Sequence, residues 1–436
     1  MLRDSIDYKG TAVGKLFRRF LFPTVMGMVF SAVFVITDGI FVGRGIGSDA
    51  LAAVNLTAPL FTLGTGLGLM FGMGGSVVAS VNLAQGKRRV AQINITQSLF
   101  VPALLIVLLS ALLILCHKPL LLLLGTPPEL MVPAREYLVW FTLFLTPLAV
   151  FNILMFIVRL DGAPRFAMAC NIMAASINIV LDYLFIFEFG WGLAGAAIAT
   201  GVGYIVGSGV MLRYMLRHSR TLHFVKFKTS YKSLRLTARN LGYMTYIGFP
   251  ALLSELAISC LMVVGNYTLI RYTGKDGVAA YSIACYIFPI IFMVYNGIIQ
   301  SAQPIISYNY GAGLMRRGRD AFAMALGTAF VCGLAVFGFT WLFQPVDRGA
   351  VPDARRPGLC NRRARPAALR RRASLFRNQR RHDRLLPEHR ARTAGDGAHR
   401  ASGHRADGFL LPRAAAAGGR RGDLARGTGG RTGRNT

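Results

Sequence analysis

The sequence predicts an all-α membrane protein: an N-terminal six-helix bundle, an incomplete second bundle of about three helices, and a disordered or irregular C-terminal tail. The prediction rests on hydrophobic content, apolar blocks and an internal repeat. Of the 436 residues, 53% are hydrophobic and 16% are charged, whereas soluble domains contain about 25% charged residues. Because a soluble core cannot bury that much apolar surface, lipid must solvate most of the chain.

About nine apolar blocks reach the ~20 residues that a helix needs to cross a bilayer. Continuous runs such as Leu104 to Leu115 lack the alternation of a β-barrel, so each block is predicted to be a helix that satisfies its own backbone. The first block lacks a small-residue cleavage site, and we interpret it as a retained helix. The blocks lie near residues 17–41, 51–80, 95–116, 137–158, 166–187, 191–215, 242–270, 278–308 and 321–344.

Basic residues concentrate in alternate loops between these blocks. Lys15, Arg18 and Arg19 precede the first block, whereas the loops 43–49 and 129–133 contain few positive charges. Lys and Arg accumulate on the cytoplasmic side of membrane proteins. We therefore expect a multi-pass protein of the inner (plasma) membrane with a cytoplasmic N-terminus. The other basic loops contain Lys87 to Arg89, Arg159 and Arg165, Arg213 to Arg239, and Arg316 to Arg319.

An internal repeat relates the two halves of the chain. Phe22-Pro23 recurs as Phe249-Pro250, at an offset of 227 (250 minus 23). Chance similarity between apolar helices would match Leu and Ala, whereas this offset also matches Gly, Asp and Asn at loop ends, which indicates a duplicated bundle. The same offset relates Gly47 to Gly274, Asp49 to Asp276, Asn82 to Asn309, Gly86 to Gly313 and Arg89 to Arg316.

The predicted domains are a six-helix bundle (1–220), a basic cytoplasmic linker (221–241), a partial second bundle (242–344) and an Arg-rich low-complexity tail (345–436).

From about Pro345 the sequence becomes rich in Arg, Ala and Gly, contains no lysine and has no apolar run of spanning length. By the repeat offset, it occupies the place of the last three helices of the second bundle. Three interpretations compete: a basic arm for nucleic acid or anionic lipid, a disordered extension, or a reading-frame error in a GC-rich gene. We favour the third, because a disordered arm has no reason to begin inside a repeat unit.

Glycine-rich stretches such as Gly64 to Gly68 and Gly72 to Gly75 superficially resemble phosphate-binding loops. They lie inside an apolar block without a preceding strand or a P-loop lysine, so close packing of helices is the better interpretation. The six cysteines are scattered singly and no catalytic Ser/His/Asp or Cys/His arrangement occurs. The sequence therefore predicts neither an enzyme nor a metal cluster.

Inserting an acidic residue into the membrane costs about 2.5–3.5 kcal/mol on insertion scales, so such a residue needs a functional reason. The acidic residues inside the apolar blocks therefore indicate ion binding. Asp38, Asp182 and Glu255 lie in the first, fifth and seventh blocks. Asn178 and Asp182 are four residues apart and share one helix face. Oxygen ligands suit a hard cation such as Na⁺, and a carboxylate in low dielectric equally suits H⁺. The alternative is a buried aspartate that its neighbours satisfy for packing alone.

The chain resembles the multidrug and toxic compound extrusion (MATE) transporters over about residues 15–344. The resemblance implies twelve helices in two bundles around a V-shaped cavity, and antiport of drugs against a cation. It also implies a coupling-cation site at Asp38, Asn178, Asp182 and Thr200, with Asn152 and Glu255 in the substrate cavity. The motifs that carry it are Pro23 to Asp38 with Phe41-Val42-Gly43, Gly195 to Thr200, Gly274 to Tyr281, and Gln303 to Ala312.

The predicted function is a secondary active antiporter that exports cationic or amphipathic organic compounds in exchange for Na⁺ or H⁺. The expected partners are these small molecules and membrane lipids; no cofactor, no nucleic acid and a monomeric state are expected. One alternative is a lipid-linked precursor flippase of similar architecture, although a flippase would line its cavity with cationic side chains. The other is a non-functional, truncated transporter product.

Overall fold

The computed structural model describes residues 7–342, apart from 125, 127, 220 and 227–229. Within these ranges every regular element is a helix, which confirms the all-α class for this part of the chain. The tail, 345–436, and the interpretations offered for it lie outside the described residues. The helices are α1 (Val13–Gly45), α2 (Ser48–Ala84), α3 (Arg88–Leu115), α4 (His117–Leu123), α5 (Met131–Leu143), α6 (Leu145–Leu160), α7 (Pro164–Tyr183), α8 (Gly192–Arg217), α9 (Tyr231–Gly311) and α10 (Met315–Leu342). A 3₁₀ turn (Pro128–Leu130) precedes α5, and a π-helical turn (Leu184–Glu188) continues α7.

Most of the predicted blocks are helices of spanning length. Within the described residues, seven single helices are long and apolar enough to cross a membrane, and α5 with α6 forms an eighth span bent by 46°. The bend lies at Phe144, shortly before Pro147, and the proline explains it because its ring clashes with the carbonyl one turn earlier. The sequence predicted a single apolar block here, near residues 137–158. The remaining predicted block, 278–308, lies inside α9.

Helix α9 folds back on itself. It contains 81 residues, which would extend for ~120 Å if the helix were straight. Both of its ends nevertheless pack on α2: the backbone of Gly248 lies against Met70, and that of Gly311 lies against Val81. Met70 and Val81 are only about three turns apart in α2. The two halves of α9 therefore run side by side, as two successive spans would.

The two halves of the chain repeat the same local geometry at the predicted offset. Gly86 follows α2 with φ 79°, and Gly313 follows α9 with φ 74°. The side-chain amide of Asn82 donates to the Val78 carbonyl at 2.9 Å, and that of Asn309 donates to the Ile305 carbonyl at 2.8 Å. Gly86 and Gly313 are 227 residues apart, and so are Asn82 and Asn309. This separation is the offset of the repeat. The left-handed conformation at both turns explains why glycine recurs there.

Helix α6 is the centre of the N-terminal bundle. Its side chains Ile153, Leu154 and Ile157 are fully buried, and it packs against α2, α3 and α8. Beside it, α7 packs against both α1 and α8. The convergence of α1, α7 and α8 positions the polar groups described next.

Candidate functional site

Helix α7 carries the centre of the candidate site. It begins at Pro164, a position where proline fits because the first turn lacks intrahelical acceptors for its N–H groups. Asn178 and Asp182 lie on its inward face and are only 2% and 0% exposed. Thr200, on α8, is 5% exposed. Three of the four predicted cation-site residues are thus buried in the bundle.

These residues lie together. The amide nitrogen Nδ2 of Asn178 donates to Oγ1 of Thr200 at 3.1 Å. The carboxyl group of Asp182 lies within interaction range of the Asn178 amide and of the Asp38 carboxyl on α1. The carboxyl groups of Asp38 and Asp182 are close enough to interact electrostatically with each other. Helices α1, α7 and α8 therefore bring all four predicted residues to one place.

The site is rich in buried acceptor oxygens that no donor satisfies among the described residues. Buried polar atoms in folded proteins are normally hydrogen-bonded, and an unsatisfied one costs about 1–3 kcal/mol. A cation or a bound proton would satisfy such oxygens and relieve the repulsion between two carboxylates. The unsatisfied atoms are Oδ1 of Asp38, Oδ1 of Asn178, and both Oδ1 and Oδ2 of Asp182.

A cavity of about 20 Å³ adjoins this cluster. Asn178 and Thr200 form one wall, and Ser31, Asn171 and Tyr204 supply further polar groups. A space of this size holds about one water molecule. The arrangement can therefore accommodate a single small ion or water next to the acceptor oxygens.

Several polar residues of the site were missed in the sequence. Tyr137 and Tyr204 lie within electrostatic range of Asp38. The Asn171 amide donates to the Gly27 carbonyl at 2.8 Å and to the Ser31 hydroxyl at 2.9 Å. Helical spacing could have revealed two of them, since Asn171 is seven residues before Asn178 and Tyr204 is four after Thr200. Nothing in the sequence around Tyr137 indicates its location.

Asn152 and Glu255 lie on different sides of α2. Asn152, on α6, packs against Gly68 and donates to the Leu148 carbonyl at 3.0 Å. Glu255, on α9, packs against Gly66. Positions two apart on a helix point in nearly opposite directions. Neither side chain lines the small cavity, and their substrate role stays a prediction.

The apolar-block criterion predicted that Arg159 lies in a loop. The structure shows that it does not. It belongs to the last turn of α6 and is 2% exposed. Its guanidinium donates to Oε1 of Gln300 on α9 at 2.5 Å and lies over the Phe156 ring, 5.6 Å from the centroid. The residue therefore joins the N-terminal bundle to α9.

Asp161, next to this contact, organises the start of the linker. Its carboxylate accepts hydrogen bonds from the Tyr214 hydroxyl at 3.0 Å and from the backbone N–H groups of Thr221 and Leu222 at 3.3 Å. This network holds the chain that leaves α8 against the end of α6. Sequence spacing did not indicate it, because all three partners are distant from Asp161 along the chain.

Comparison with known proteins agrees with the geometry. The profile of the MatE family matches residues 23–184 and 250–346. The two matches begin at positions 23 and 250, which differ by the offset of the repeat. If the second match were as long as the first, it would end at 411 (184 plus 227). The second match instead stops at 346, beside the change in composition at Pro345.

Similar proteins include multidrug exporters. The chain is 27% identical over 344 residues to the multidrug export protein MepA of Staphylococcus aureus (strain N315), covering 76% of this chain and 72% of the relative. An outward-facing structure of a multidrug resistance MATE family transporter matches with a TM-score of 0.70 and 26% identity, over 77% of this chain and 73% of that one. A transporter of the same superfamily from Pyrococcus furiosus, whose binding pocket has reversed polarity, matches with a TM-score of 0.69 and 26% identity, over 77% of this chain and 73% of that one. With a family profile that matches more than half of its length, this multi-pass membrane chain belongs to the MatE family of multidrug efflux transporters.

Proposed function

We propose that the chain is a secondary antiporter that exports cationic or amphipathic organic compounds in exchange for Na⁺ or H⁺. The observation that carries the proposal is the cluster of unsatisfied acceptor oxygens on Asp38, Asn178 and Asp182. In the absence of a cation, two facing carboxylates in a water-poor bundle repel each other. Such an arrangement is stable only if an ion or a proton occupies it for part of the cycle.

Ion binding at this cluster couples to transport through the packing of α1, α7 and α8. Asp38 is on α1, whereas Asp182 and Asn178 are on α7. An ion that bridges the two helices stabilises the conformation in which they are close, and its release favours the other conformation. A ligand shifts an equilibrium only by its difference in affinity for the two states, and this bridge supplies such a difference.

We place the protein in the inner (plasma) membrane with a cytoplasmic N-terminus, because the basic loops alternate along the chain. The proposed partners are organic cations and membrane lipids, and we propose a monomer. The Na⁺ and H⁺ alternatives share the same ligands. Efflux measured with a sodium gradient alone and with a pH gradient alone distinguishes them.

The test is efflux of a fluorescent organic cation such as ethidium from proteoliposomes. Asp182→Asn should abolish ion-driven efflux and leave membrane insertion intact, because it removes the charge and keeps the shape. The matched control is Glu188→Gln, an exposed acid further along the same helical segment, which should transport normally. Full ion-dependent efflux by Asp182→Asn would show that Asp182 contributes to helix packing and not to ion coupling.

A non-transporting, truncated product is the second candidate. The family profile stops at residue 346 in the second copy although the first copy continues for much longer. A chimera in which the C-terminal segment of the staphylococcal relative replaces residues from 345 onward separates the two candidates. Transport by the chimera and not by the native chain would support the truncated product. Equal transport by both would support the antiporter.

A further inference from the structure

The segment that precedes α1 folds onto the rest of the molecule. We call residues 7–12 the strap; they form turns rather than a helix. The carboxylate of Asp7 accepts a hydrogen bond from the backbone N–H of Lys9 at 2.9 Å, and the Thr11 N–H donates to the Asp7 carbonyl at 3.3 Å. Of the residues of the strap only Tyr8 is buried, with 7% exposure. The strap is therefore a closed turn with one buried side chain.

Tyr8 contacts both halves of the molecule. Its hydroxyl donates to the carbonyl of Leu160, at the end of α6, at 3.3 Å. Its ring stacks on the ring of Tyr308, near the end of α9, with the centroids 4.8 Å apart. Helix α6 belongs to the N-terminal bundle, whereas this end of α9 belongs to the second half of the repeat. One buried side chain thus bridges the two halves.

Arg317, at the start of α10, holds the backbone of the strap. Its guanidinium donates to the carbonyl of Tyr8 at 3.2 Å and to the carbonyl of Thr11. Its Nε donates to Oδ1 of Asn309 at 3.2 Å. Asn309 is itself fixed, because it is fully buried and its amide donates to the Ile305 carbonyl at 2.8 Å. The arginine therefore ties the strap to a rigid part of the second half.

An apolar seam lies next to the strap. Leu16 and Phe20 of α1 pack in one cluster with Ile305 of α9 and Ala321 of α10, and Tyr8 is a member of the same cluster. The other four side chains are each 0% exposed. Parting α1 from α9 and α10 at this end would expose the seam to water, which the hydrophobic effect opposes. The strap and the seam together keep this end of the molecule closed.

The strap depends on a single buried ring and on one half-buried arginine, Arg317, for its hold on the second half. Segments with few buried contacts open locally at low free-energy cost. From these contacts we infer that the strap is a releasable latch, which is closed in this structure and releases when the two halves part at this end. The inference rests on the proposed antiport, because alternating access is what requires the halves to part.

The latch lies at the end of the molecule that carries the basic loops. Its contacts bring together the N-terminal segment, the end of α6 and the turn between α9 and α10. Basic residues mark all three regions, and we have proposed that this side is cytoplasmic. The latch therefore controls opening toward the cytoplasm.

Thiol labelling of the purified full chain measures release without requiring transport. In a background without the six native cysteines, Ala321→Cys places a thiol in the seam. Arg317→Met removes the bonds to the strap and should raise the rate of reaction with a water-soluble thiol reagent by about tenfold or more, since labelling follows the population of the open form. The matched control is Arg316→Met, at an exposed neighbouring arginine, which should leave the rate unchanged. Tyr8→Phe keeps the ring stack and should give a smaller increase than Arg317→Met.

A second thiol distinguishes release of the strap from loosening of the whole fold. Cys170 is 2% exposed inside the N-terminal bundle and serves as the sole thiol of a chain whose other cysteines are replaced. Arg317→Met should leave its labelling rate unchanged. Equal acceleration at Cys170 and at Ala321→Cys would overturn the inference, because the substitution would then destabilise the fold as a whole. An unchanged rate at Ala321→Cys would also overturn it.

Efflux of ethidium from proteoliposomes connects the latch to transport. Tyr8→Cys and Tyr308→Cys, joined by a short cleavable thiol reagent, hold the latch shut, so efflux should stop and return on reduction. Full efflux by the cross-linked protein would overturn the inference. If the native chain does not move ethidium, the proposed antiport fails, whereas the two labelling rates still decide whether the latch opens.

Discussion

The amide nitrogen of Gln303 lies 3.4 Å from the hydroxyl oxygen of Ser76, and the two residues are 227 positions apart. They are equivalent positions of the repeat. In a two-fold arrangement, a residue touches its own equivalent only near the symmetry axis. Ser76 and Gln303 are both buried, so this contact marks the line about which the two halves of the molecule are related.

This contact provides a test of relative movement between the halves. In a cysteine-free background, Ser76→Cys with Gln303→Cys should react with a short bifunctional thiol reagent. Cross-linking should stop efflux, because alternating access requires the two halves to move against each other, and a cleavable reagent should restore it on reduction. Each single cysteine variant serves as control and should keep its activity. Undiminished efflux by the cross-linked protein would show that the halves do not separate here.

The Arg159–Gln300 contact predicts unequal effects on stability. Gln300→Leu leaves a buried guanidinium without its acceptor and should lower the free energy of unfolding by about 1.5–3 kcal/mol. Arg159→Met removes the charge and fills similar space, so it should cost much less. Thermal unfolding in detergent measures both variants. In the double variant the costs should not add, and strict additivity would mean that the hydrogen bond contributes nothing.

Close packing of glycine against backbone predicts a contrast within α9. A Cβ on Gly248 would lie 1.9 Å from the Met70 carbonyl oxygen, whereas a Cβ on Gly242 would meet nothing within 4 Å. Gly248→Ala should therefore destabilise the protein by about 1–3 kcal/mol through overpacking. Gly242→Ala should be neutral or stabilising by up to about 1 kcal/mol, because alanine favours helices. Equal unfolding temperatures for the two variants would contradict this packing.

The sequence predicts what depends on local periodicity. The spacing of Asn178 and Asp182 placed both on one helix face, and the glycine-rich stretch 72–75 was correctly interpreted as packing, since Gly74 lies against the Met244 backbone. Contacts between distant segments were not predictable. Arg159 ends an apolar run, so the apolar-block criterion assigned it to a loop. Its partner Gln300 is 141 residues away, and local periodicity does not indicate a contact at that distance. Tyr137 lies within electrostatic range of Asp38 although the two residues are 99 positions apart in the sequence.

The role of the Thr200 hydroxyl yields a last prediction, which rests on the proposed coupling site. Oγ1 of Thr200 accepts a hydrogen bond from Nδ2 of Asn178 at 3.1 Å, which leaves Oδ1 of that amide unsatisfied. Thr200→Val keeps the shape but removes this acceptor, so the amide is free to rotate and present its N–H₂ group to the cation. Losing one hydrogen bond of about 0.5–1.5 kcal/mol should weaken apparent cation affinity by up to roughly tenfold.

The measurement is the concentration of the coupling ion that gives half-maximal efflux, taken at saturating substrate. Thr200→Ser is the control, since it keeps the hydroxyl and loses only a methyl group. It should retain near-native affinity. Equal affinities for the valine and serine variants would show that the hydroxyl does not orient Asn178, and the Asp38–Asp182 pair alone would then define the site.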